Sequence, residues 1–205
     1  MTADGTRPGV SPTGEQWLLT RGHQRLIVTE IGATLRSYRV EGRDLIDGFG
    51  PDEWAEGGRG QVLAPWPNRL GDGRYTFNGV TAQVPLDEPE RHNAIHGLVR
   101  WRAFEQRARS ASSVVAGCLL RPTPGYPFML DLEVEYRLGG DGLLVTTTAT
   151  NVGPDALPFG LGFHPYLTAG AELIDTCVLE LPTTAALSVD DRGLPTGEAR
   201  PTAGT

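Results

Sequence analysis

An alternation of apolar and polar residues with a period of two runs through the middle of the chain and constrains its fold most strongly. Apolar side chains alternate with acidic and basic ones over residues 130–138, and the alternation resumes over residues 143–149 after a Gly-rich turn. A third alternating run, residues 157–163, follows the turn at residues 151–153. Residues two apart lie on one face of a strand, so each run has an apolar face. Three such runs predict an antiparallel meander with one buried side.

A hairpin and further short strands extend this pattern over the rest of the chain. Asn78-Gly79 separates residues 75–77 from residues 80–84 and predicts a type I′ turn, in which both central residues take positive φ. No segment has a sustained helical period, although residues 52–56 are expected to form one helical turn. The polar stretch 190–205 is expected to lack a closing strand. Further strands are predicted at residues 17–20, 25–30, 33–40, 101–108, 113–120 and 176–181. Many short strands with regular turns predict an all-β sandwich or barrel, and we expect one domain over residues 1–205.

Composition narrows the function classes that such a fold can serve. The formal net charge is -7, which argues against nucleic acid and against an anionic membrane surface as partners. The 18 basic residues are all arginine, so a Schiff-base lysine and a phosphate-loop lysine are both excluded. The 27 glycines and 16 prolines are typical of a turn-rich globular protein rather than a disordered one.

Targeting and redox signals point to an intracellular protein. Residues 1–14 are polar and lack the apolar core of a signal peptide, and no run approaches the roughly 18 apolar residues of a spanning helix. Cys118 and Cys177 lie in apolar, strand-like runs, so both are predicted to be buried thiols, with a disulfide between them left open. The expected location is the cytoplasm.

The first segment with possible chemistry is the loop at residues 64–73, ahead of the Asn-Gly hairpin. Two prolines restrict its backbone and present Trp66, Asn68 and Arg69 close together. An arginine fork, an amide and a flat aromatic face suit a polyhydroxylated ring. The alternative is an ordinary connection between strands whose arginine pairs with a surface acid.

The second segment contains His92 and His96. Histidines four residues apart would ligate a metal together if the segment were helical, but Pro89 and Gly97 argue against a helix. A single functional histidine beside Gly97 is favoured, because glycine lets a ligand approach closely. The alternative is a loop histidine that hydrogen-bonds the backbone.

The third segment is the end of the last alternating run, where His164 is followed by Pro165 and Tyr166. Strand ends are places where loops build sites, and imidazole titrates near neutral pH. His164 is therefore a candidate for giving or taking a proton, with a purely structural role as the alternative. The chain has no nucleophile elbow, dinucleotide fingerprint or paired-cysteine metal motif.

Three short motifs stand in a fixed order along the chain: Asn68-Arg69-Leu70 with Gly73, Asn93-Ala94-Ile95-His96-Gly97 and His164-Pro165-Tyr166. In this order the chain resembles the aldose 1-epimerase (galactose mutarotase) family over residues 17–205. The resemblance implies a large antiparallel β-sandwich of the galactose mutarotase-like type. It also implies an aldohexose or a derivative as substrate, with no metal and no organic cofactor. Neutral, phosphorylated and sulfonated sugars all stay open, with Arg59 and Arg69 as possible anion partners.

The resemblance also implies roles for individual residues. His164 matches the general acid that protonates the ring oxygen, and His96 matches a second histidine near that oxygen. Asn68 and Arg69 match the pair that hydrogen-bonds sugar hydroxyls, while Tyr166 lies in the binding segment after the acid. These roles imply a mutarotase that interconverts the α and β anomers by acid/base ring opening.

The sequence departs from the family in the last third of the fold. In the family this part holds the general base, a glutamate, and a substrate-binding aspartate. This sequence has no match for either, and Glu88, Glu90 and Asp131 do not align with the base. The chain thus resembles the first two-thirds of a mutarotase. Three hypotheses follow: an epimerase, a carbohydrate-binding protein without turnover, and an inactive fragment.

Overall fold

Antiparallel strands make up almost all of the regular structure. The computed structural model describes residues 11–202, so the predictions for residues 1–10 and 203–205 lie outside the described part of the chain. The strands of the first half are β1 (Gln16–Arg21), β2 (Gln24–Thr29), β3 (Leu35–Val40), β4 (Arg43–Asp44), β5 (Val62–Leu63), β6 (Arg69–Gly71), β7 (Arg74–Phe77), β8 (Val80–Gln83) and β9 (Asn93–Ile95). Those of the second half are β10 (Glu105–Arg109), β11 (Ser113–Leu120), β12 (Leu130–Gly139), β13 (Gly142–Asn151), β14 (Gly162–Phe163), β15 (Ala185–Val189) and β16 (Pro195–Pro201).

Two four-stranded sheets share the main hydrophobic core. One sheet has the order β1-β2-β3-β4 and the other β10-β11-β12-β13. Alternate residues of both sheets point into one cluster of buried side chains, among them Trp17, Leu26, Val114, Val134 and Tyr136. Burial of this apolar surface between two sheets is the main force that holds a sandwich together.

The predicted meander is confirmed for its first two runs. β12 pairs with β13 along its whole length, from Leu130 opposite Asn151 to Gly139 opposite Gly142, and with β11 on its other side from Leu130 to Arg137. On its inner face Leu132, Val134 and Tyr136 are buried, as the alternation requires. The predicted hairpin is also confirmed, because Asn78 and Gly79 take φ angles of 49° and 78° between β7 and β8.

The third alternating run does not continue the meander. Within residues 157–163 only β14 is a strand, and it pairs with β5 rather than with β13. The preceding backbone is already bonded elsewhere: the Gly160 N–H donates to Pro65 O, and the Tyr126 hydroxyl donates to Pro158 O. The run therefore crosses to the loop at residues 61–65, which brings His164 to that loop.

Four further predictions need correction. Residues 176–181 form no strand and are exposed, because no described strand lies beside them. The stretch 190–205 does contain a strand: β16 pairs with β15, and the Asp190 carboxylate shapes the turn between them by accepting hydrogen bonds from the Arg192 and Leu194 N–H groups.

The expected helical turn is a 3-10 turn at Glu56–Gly58, a few residues later than predicted. The strand expected over residues 101–108 begins only at Glu105, because a tight turn closed by Arg102 N–H to Val99 O precedes it.

The two cysteines differ. Cys118 is buried in β11, as predicted, whereas Cys177 is exposed, because the predicted strand around it is absent; both thiols are free. The other short helical turns are Pro89–Arg91 and Ile174–Thr176. Within residues 11–202 no helix is long and apolar enough to cross a membrane.

A second, smaller core positions the segments that carry the first two motifs. Val84, Ala94, Leu120, Tyr126 and Leu130 form its buried centre. Trp66 and Leu70 of the first motif pack against this centre from the side of β6. The β6-β9 sheet thereby rests on this second core, whereas β5 of the β5-β14 sheet contributes Val62 to the main core. Packing on these two cores fixes the ends of the strands where the candidate residues lie.

Candidate active site

Asn68 and His96 face each other at one end of the β6-β9 sheet and bond reciprocally. The His96 N–H donates to Asn68 O at 2.8 Å, and the Asn68 N–H donates to His96 Nδ1 at 3.0 Å. Both residues have positive φ, 58° and 63°, a region that Asn and His enter more readily than most residues. The left-handed backbone turns both side chains out of the strand ladder, and the bond to Nδ1 holds the imidazole in one orientation.

The hydrogen bond from Asn68 also assigns the protonation state of His96. A backbone N–H can only donate, so Nδ1 accepts, and the neutral ring carries its proton on Nε2. Burial, followed by the positive charge of Arg100, lowers the pKa of His96 to about 4. At neutral pH His96 is therefore an uncharged imidazole that offers one Nε2–H donor.

Arg69 is fixed by a buried carboxylate. Its Nε and Nη2 donate to the two oxygens of Glu88, each at 2.7 Å, and the Asn93 amide donates to Glu88 Oε2 at 2.8 Å. These bonds, chiefly that from Arg69, lower the pKa of Glu88 to about 2. The remaining Arg69 nitrogen, Nη1, reaches Asn68 Oδ1 at 3.3 Å. The arginine does pair with an acid, as the alternative interpretation supposed, but the acid is buried and the pairing aims the guanidinium at Asn68.

His164 reaches the same place from the other end of the chain. Its N–H donates to Gln61 O at 3.1 Å and its carbonyl accepts from the Gly60 N–H at 2.8 Å, which extends the β5-β14 pairing by one residue. The His164 ring lies edge-to-face with the His96 ring, with centroids 5.2 Å apart and planes at 75°. Two imidazoles that are 68 positions apart in sequence thus share one site.

Tyr166 lines the far side of the His164 ring. The two ring centroids are 5.4 Å apart, and the Tyr166 hydroxyl donates to Gly57 O at 3.1 Å. The guanidinium carbon of Arg59 lies 4.9 Å from the centre of the Tyr166 ring, a cation–π contact. Arg59 is also 3.2 Å from the exposed carboxylate of Asp47. All five residues singled out from the sequence therefore lie in one cluster, which we call the histidine cluster: Asn68, Arg69, His96, His164 and Tyr166.

The histidine cluster is partly exposed and lies outside the groove formed near β3 and β4. This groove, of about 1190 Å³, lies between the β3–β4 region and residues 167–174, and includes none of the five. Asn68 is exposed, while His96, His164 and Tyr166 are each partly buried. The chemistry of the side chains identifies this site, and its volume does not.

The arrangement of His92 removes the basis for the helical metal pair. β9 lies between His92 and His96, so the two rings do not share a helix face. His92 is exposed, with Nδ1 2.8 Å from Asp72 Oδ1. Within residues 11–202 no group of three or more His, Cys, Asp or Glu side chains is placed to hold a metal ion.

Glycine is needed at position 97 for a structural reason that differs from the expected one. Its φ is 77°, and a Cβ there would lie 2.1 Å from Ala64 O. Ala64 pairs with Gly97 in an isolated bridge, and the Leu98 N–H donates to Ala64 O at 2.7 Å. The missing side chain admits the neighbouring backbone rather than a ligand.

Several residues that shape the site escaped the sequence analysis. Glu88 was considered only as a base, and neither Gln61 nor Arg100 was considered. Arg192 bonds His92 O, Asn93 Oδ1 and Asp72 Oδ1 through one nitrogen, and it joins the β15–β16 turn to the motif around His96. These contacts join residues up to 120 positions apart, and no local pattern in the sequence predicts them.

The fold and this cluster can be compared with known proteins. A model of the family described as aldose 1-epimerase matches residues 15–205. The chain is 36% identical to the uncharacterized protein YihR of Escherichia coli over 185 residues, which are 90% of this chain and 60% of that protein. It is 28% identical to the aldose 1-epimerase of Escherichia coli, over 97% of this chain and 62% of that one. The protein belongs to the aldose 1-epimerase family.

Solved structures agree on the fold. The GalM/aldose epimerase homologue from C. elegans superposes with a TM-score of 0.81 at 22% identity, covering 93% of this chain and 63% of that one. Galactose 1-epimerase from Lactobacillus acidophilus gives a TM-score of 0.80 at 21% identity, covering 93% and 59%. The predicted all-β, galactose mutarotase-like fold is therefore confirmed. The chain spans about 60% of the length of the relatives it matches.

Proposed function

We propose that this protein is a mutarotase-type isomerase that interconverts the anomers of an aldohexose at the histidine cluster. The observation that carries the proposal is the contact between His96 and His164, with Arg69 and Asn68 beside them. Two imidazoles with different environments, next to hydrogen-bond donors and acceptors for hydroxyl groups, are what opening of a cyclic hemiacetal needs.

The reaction requires one proton to leave and one to arrive. A base takes the proton of the anomeric hydroxyl, an acid protonates the ring oxygen, and the bond between the anomeric carbon and that oxygen breaks. Rotation of the aldehyde and closure with the two roles reversed gives the other anomer. We assign the acid to His164, since imidazole holds and releases a proton at working pH.

His96 serves the same oxygen differently. Because its pKa is lowered to about 4 and Nδ1 is occupied, it stays neutral and offers Nε2–H. A fixed donor stabilises the ring oxygen as that atom takes up charge, and it does so without transferring a proton. Asn68 and Arg69 would bind sugar hydroxyls, and Tyr166 would present its ring face to the sugar.

The charges of the two arginines bear on the sugar class. Arg69 is compensated by a buried bidentate carboxylate, with side-chain exposures of 22% and 10% for the pair. Arg59 pairs with Asp47, which is 63% exposed, and exposed pairs contribute little. Arg59 is thus the better candidate for an anionic substituent, so the sugars to be tested include neutral, phosphorylated and sulfonated aldohexoses.

The base is not assigned to a residue of the described part of the chain. Glu88, whose charge acts on His96, has a pKa of about 2 and is bonded to Arg69 and Asn93, so it is a poor proton acceptor. Asp131 pairs with Arg107 on the polar face of β12. This observation favours a second candidate function, namely sugar binding without turnover.

Polarimetry on freshly dissolved α-glucose and α-galactose, followed by the charged sugars, tests the proposal. An enzyme brings the optical rotation to equilibrium faster than buffer does, in proportion to protein concentration. Calorimetry with the same sugars separates the alternative: heat of binding together with a rotation rate equal to the buffer blank supports a binding protein. Neither heat nor acceleration would exclude both functions for the tested sugars.

A further inference from the structure

The groove of about 1190 Å³ lies on the face of β2 and β3 that is turned away from the main core. Ile27 and Ser37, which are paired across these two strands, line the groove, whereas the neighbouring Leu26 and Tyr38 belong to the main core. The residues of the histidine cluster do not line it, so it has no part in the proposed reaction. Four arginines line it, and we call it the arginine groove: Arg25, Arg36, Arg39 and Arg43.

Arg36 is the buried member of this set. It is only 9% exposed, and a shift in the pairing of β2 with β3 leaves it without an opposite residue. Its Nη1 donates to Phe49 O at 3.1 Å, while its Nε is buried without a hydrogen-bond partner. Burial alone lowers the pKa of Arg36, and no carboxylate within residues 11–202 opposes that shift. Arg36 is therefore a buried positive charge without a counter-ion in the described part of the chain.

Two other arginines show what Arg36 lacks. Arg100 is equally buried, and its Nη2 donates to the Asp87 carboxylate at 2.8 Å. Arg69 donates through Nε and Nη2 to the two oxygens of Glu88, each at 2.7 Å. The same Nε–Nη2 edge of Arg36 has no partner among the described residues. Because a buried charge is costly unless it is paired, an oxyanion at this edge would be stabilised.

The other charges of the arginine groove leave room for such an anion. Arg39 is held by Asp44, whereas Arg25 and Arg43 form no ion pair with any residue from 11 to 202. Four carboxylates also line the groove: Asp44, Asp47, Glu53 and Glu172. The first two are held in ion pairs with arginines, and the last two are exposed. Of the charges that remain outside ion pairs, Arg36 alone is buried.

We propose that the arginine groove binds a small oxyanion, carried by a phosphate monoester or a carboxylate, whose oxygens take the Nε–Nη2 edge of Arg36. The planar fork of an arginine fits two oxygens of either group, as it fits the Glu88 carboxylate at Arg69. Arg25 and Arg43 attract the anion without fixing it, because exposed charges interact weakly through water. The anion is thus a second ligand of the protein, distinct from the sugar that reacts.

Calorimetry of the chain with inorganic phosphate and with succinate, at constant ionic strength in chloride, tests the proposal and separates the two anion classes. We expect one of them to bind at a single site. Arg36→Met keeps a side chain of similar length without the fork, and should weaken that binding by at least about tenfold. Arg74→Met, an exposed arginine on β7 outside the groove, is the matched control and should leave the affinity unchanged. The bound anion should also raise the Tm of the unmodified chain and of the control, and not that of Arg36→Met.

Every other outcome rejects the site in a recognisable way. Absence of heat with both anions rejects it, and binding that is unchanged in Arg36→Met shows adventitious ions on surface arginines only. Self-association in sedimentation that disappears in Arg36→Met would show that a carboxylate of a second copy fills the edge instead.

A second variant keeps the test valid if Arg36→Met does not fold. Arg36→Lys keeps the charge and loses the planar fork, so it should weaken binding as well, and an undiminished affinity in this variant would reject the assigned edge. Thermal melts of all variants establish that they are folded. None of these measurements involves a sugar, so their outcome leaves the proposed function unaffected.

Discussion

The two histidines of the cluster are held in opposite ways. The His96 ring is bonded through Nδ1 to the Asn68 N–H, is partly buried, and has a pKa of about 4. The His164 ring makes no hydrogen bond to any residue within 11–202; its backbone is fixed by Gln61 and Gly60, and its ring rests against His96 and Tyr166. One imidazole is held in a single protonation state by a hydrogen bond to its ring, whereas the other ring is positioned by its backbone and by ring contacts alone.

Because of this difference, we assign binding of the ring oxygen to His96 and proton transfer to His164. A group that must gain and lose a proton in each turnover serves best if no structural bond depends on its charge state. A group that must present a donor serves best if its tautomer is fixed beforehand. In the proposed reaction the same residue type would therefore fill two roles, because the backbone around each ring differs.

The largest expected effect is on turnover when the His164 imidazole is removed. His164→Asn keeps a polar side chain of similar size and should lower kcat by about 10²–10⁴-fold, as general acids contribute. Polarimetry with a saturating sugar measures it. His92→Asn is the control, because the His92 side chain is exposed and, within residues 11–202, is bonded only to Asp72, so the substitution should leave kcat unchanged. An unchanged kcat in His164→Asn would remove His164 from the mechanism.

A smaller effect is expected when His96 is replaced. His96→Gln keeps a donor but loses the fixed ring, and should lower kcat/KM by about 10- to 100-fold, the scale of one well-placed hydrogen bond to developing charge. The pH profile of kcat should keep its shape, because His96 does not titrate near neutral pH in the folded protein. A profile that shifts in His96→Gln and stays in place in other site variants would reverse the two assigned roles.

The Arg69–Glu88 pair links the cluster to the stability of the fold. Glu88→Gln removes a buried charge that accepts from Arg69 and Asn93, so we expect a loss of about 2 kcal/mol in the free energy of unfolding. Urea denaturation measures it. Glu90→Gln, two positions away and exposed, should change stability by less than about 0.5 kcal/mol. Equal effects of the two substitutions would mean that the pair is structurally unimportant.

The smallest expected effect, taken per pH unit, is a pH dependence of stability. Two groups, His96 and Glu88, contribute to it. The pKa of His96 is 6.5 unperturbed and about 4 when folded, so stability is full above pH 6.5 and falls as pH drops towards 4. The pKa of Glu88 falls from 4.5 to about 2, so its contribution is lost only below pH 4.5. Each group contributes a slope of at most about 1.4 kcal/mol per pH unit. In His96→Gln, the stability measured by thermal melts should no longer depend on pH between 6.5 and 4.5, but it should still fall below pH 4.5. An unaltered pH dependence between 6.5 and 4.5 would contradict the assignment.

The sequence predicts those parts of the fold that depend on near neighbours. The alternation of residues 130–149 and the Asn78-Gly79 turn specify their own partners, because the next strand follows directly. Residues 157–163 show similar alternation, and residues 176–181 were also predicted to form a strand, but both lack an adjacent strand in the right place, so most of them stay irregular. A periodic pattern shows which face of a strand is apolar, but it does not identify the strand that pairs with it.

The site could be predicted as a set of residues, and its geometry could not. The motifs singled out His96 and His164, and their contact arises from the two-residue pairing of β5 with β14, about 100 positions apart. The reciprocal bonds of Asn68 and His96 depend on two positive φ angles that neither residue type dictates. The partnership of Arg69 with Glu88 likewise depends on how β6 and β9 come together.

We propose that His164 transfers the proton while His96 stays neutral and binds. Exchange NMR spectroscopy of an equilibrated aldohexose measures the rate at which α and β anomers interconvert in the presence of the chain and of its two histidine variants. We expect exchange above the buffer rate for the unmodified chain, none above it for His164→Asn, and reduced but measurable exchange for His96→Gln. Exchange in His164→Asn equal to that of the unmodified chain would contradict it.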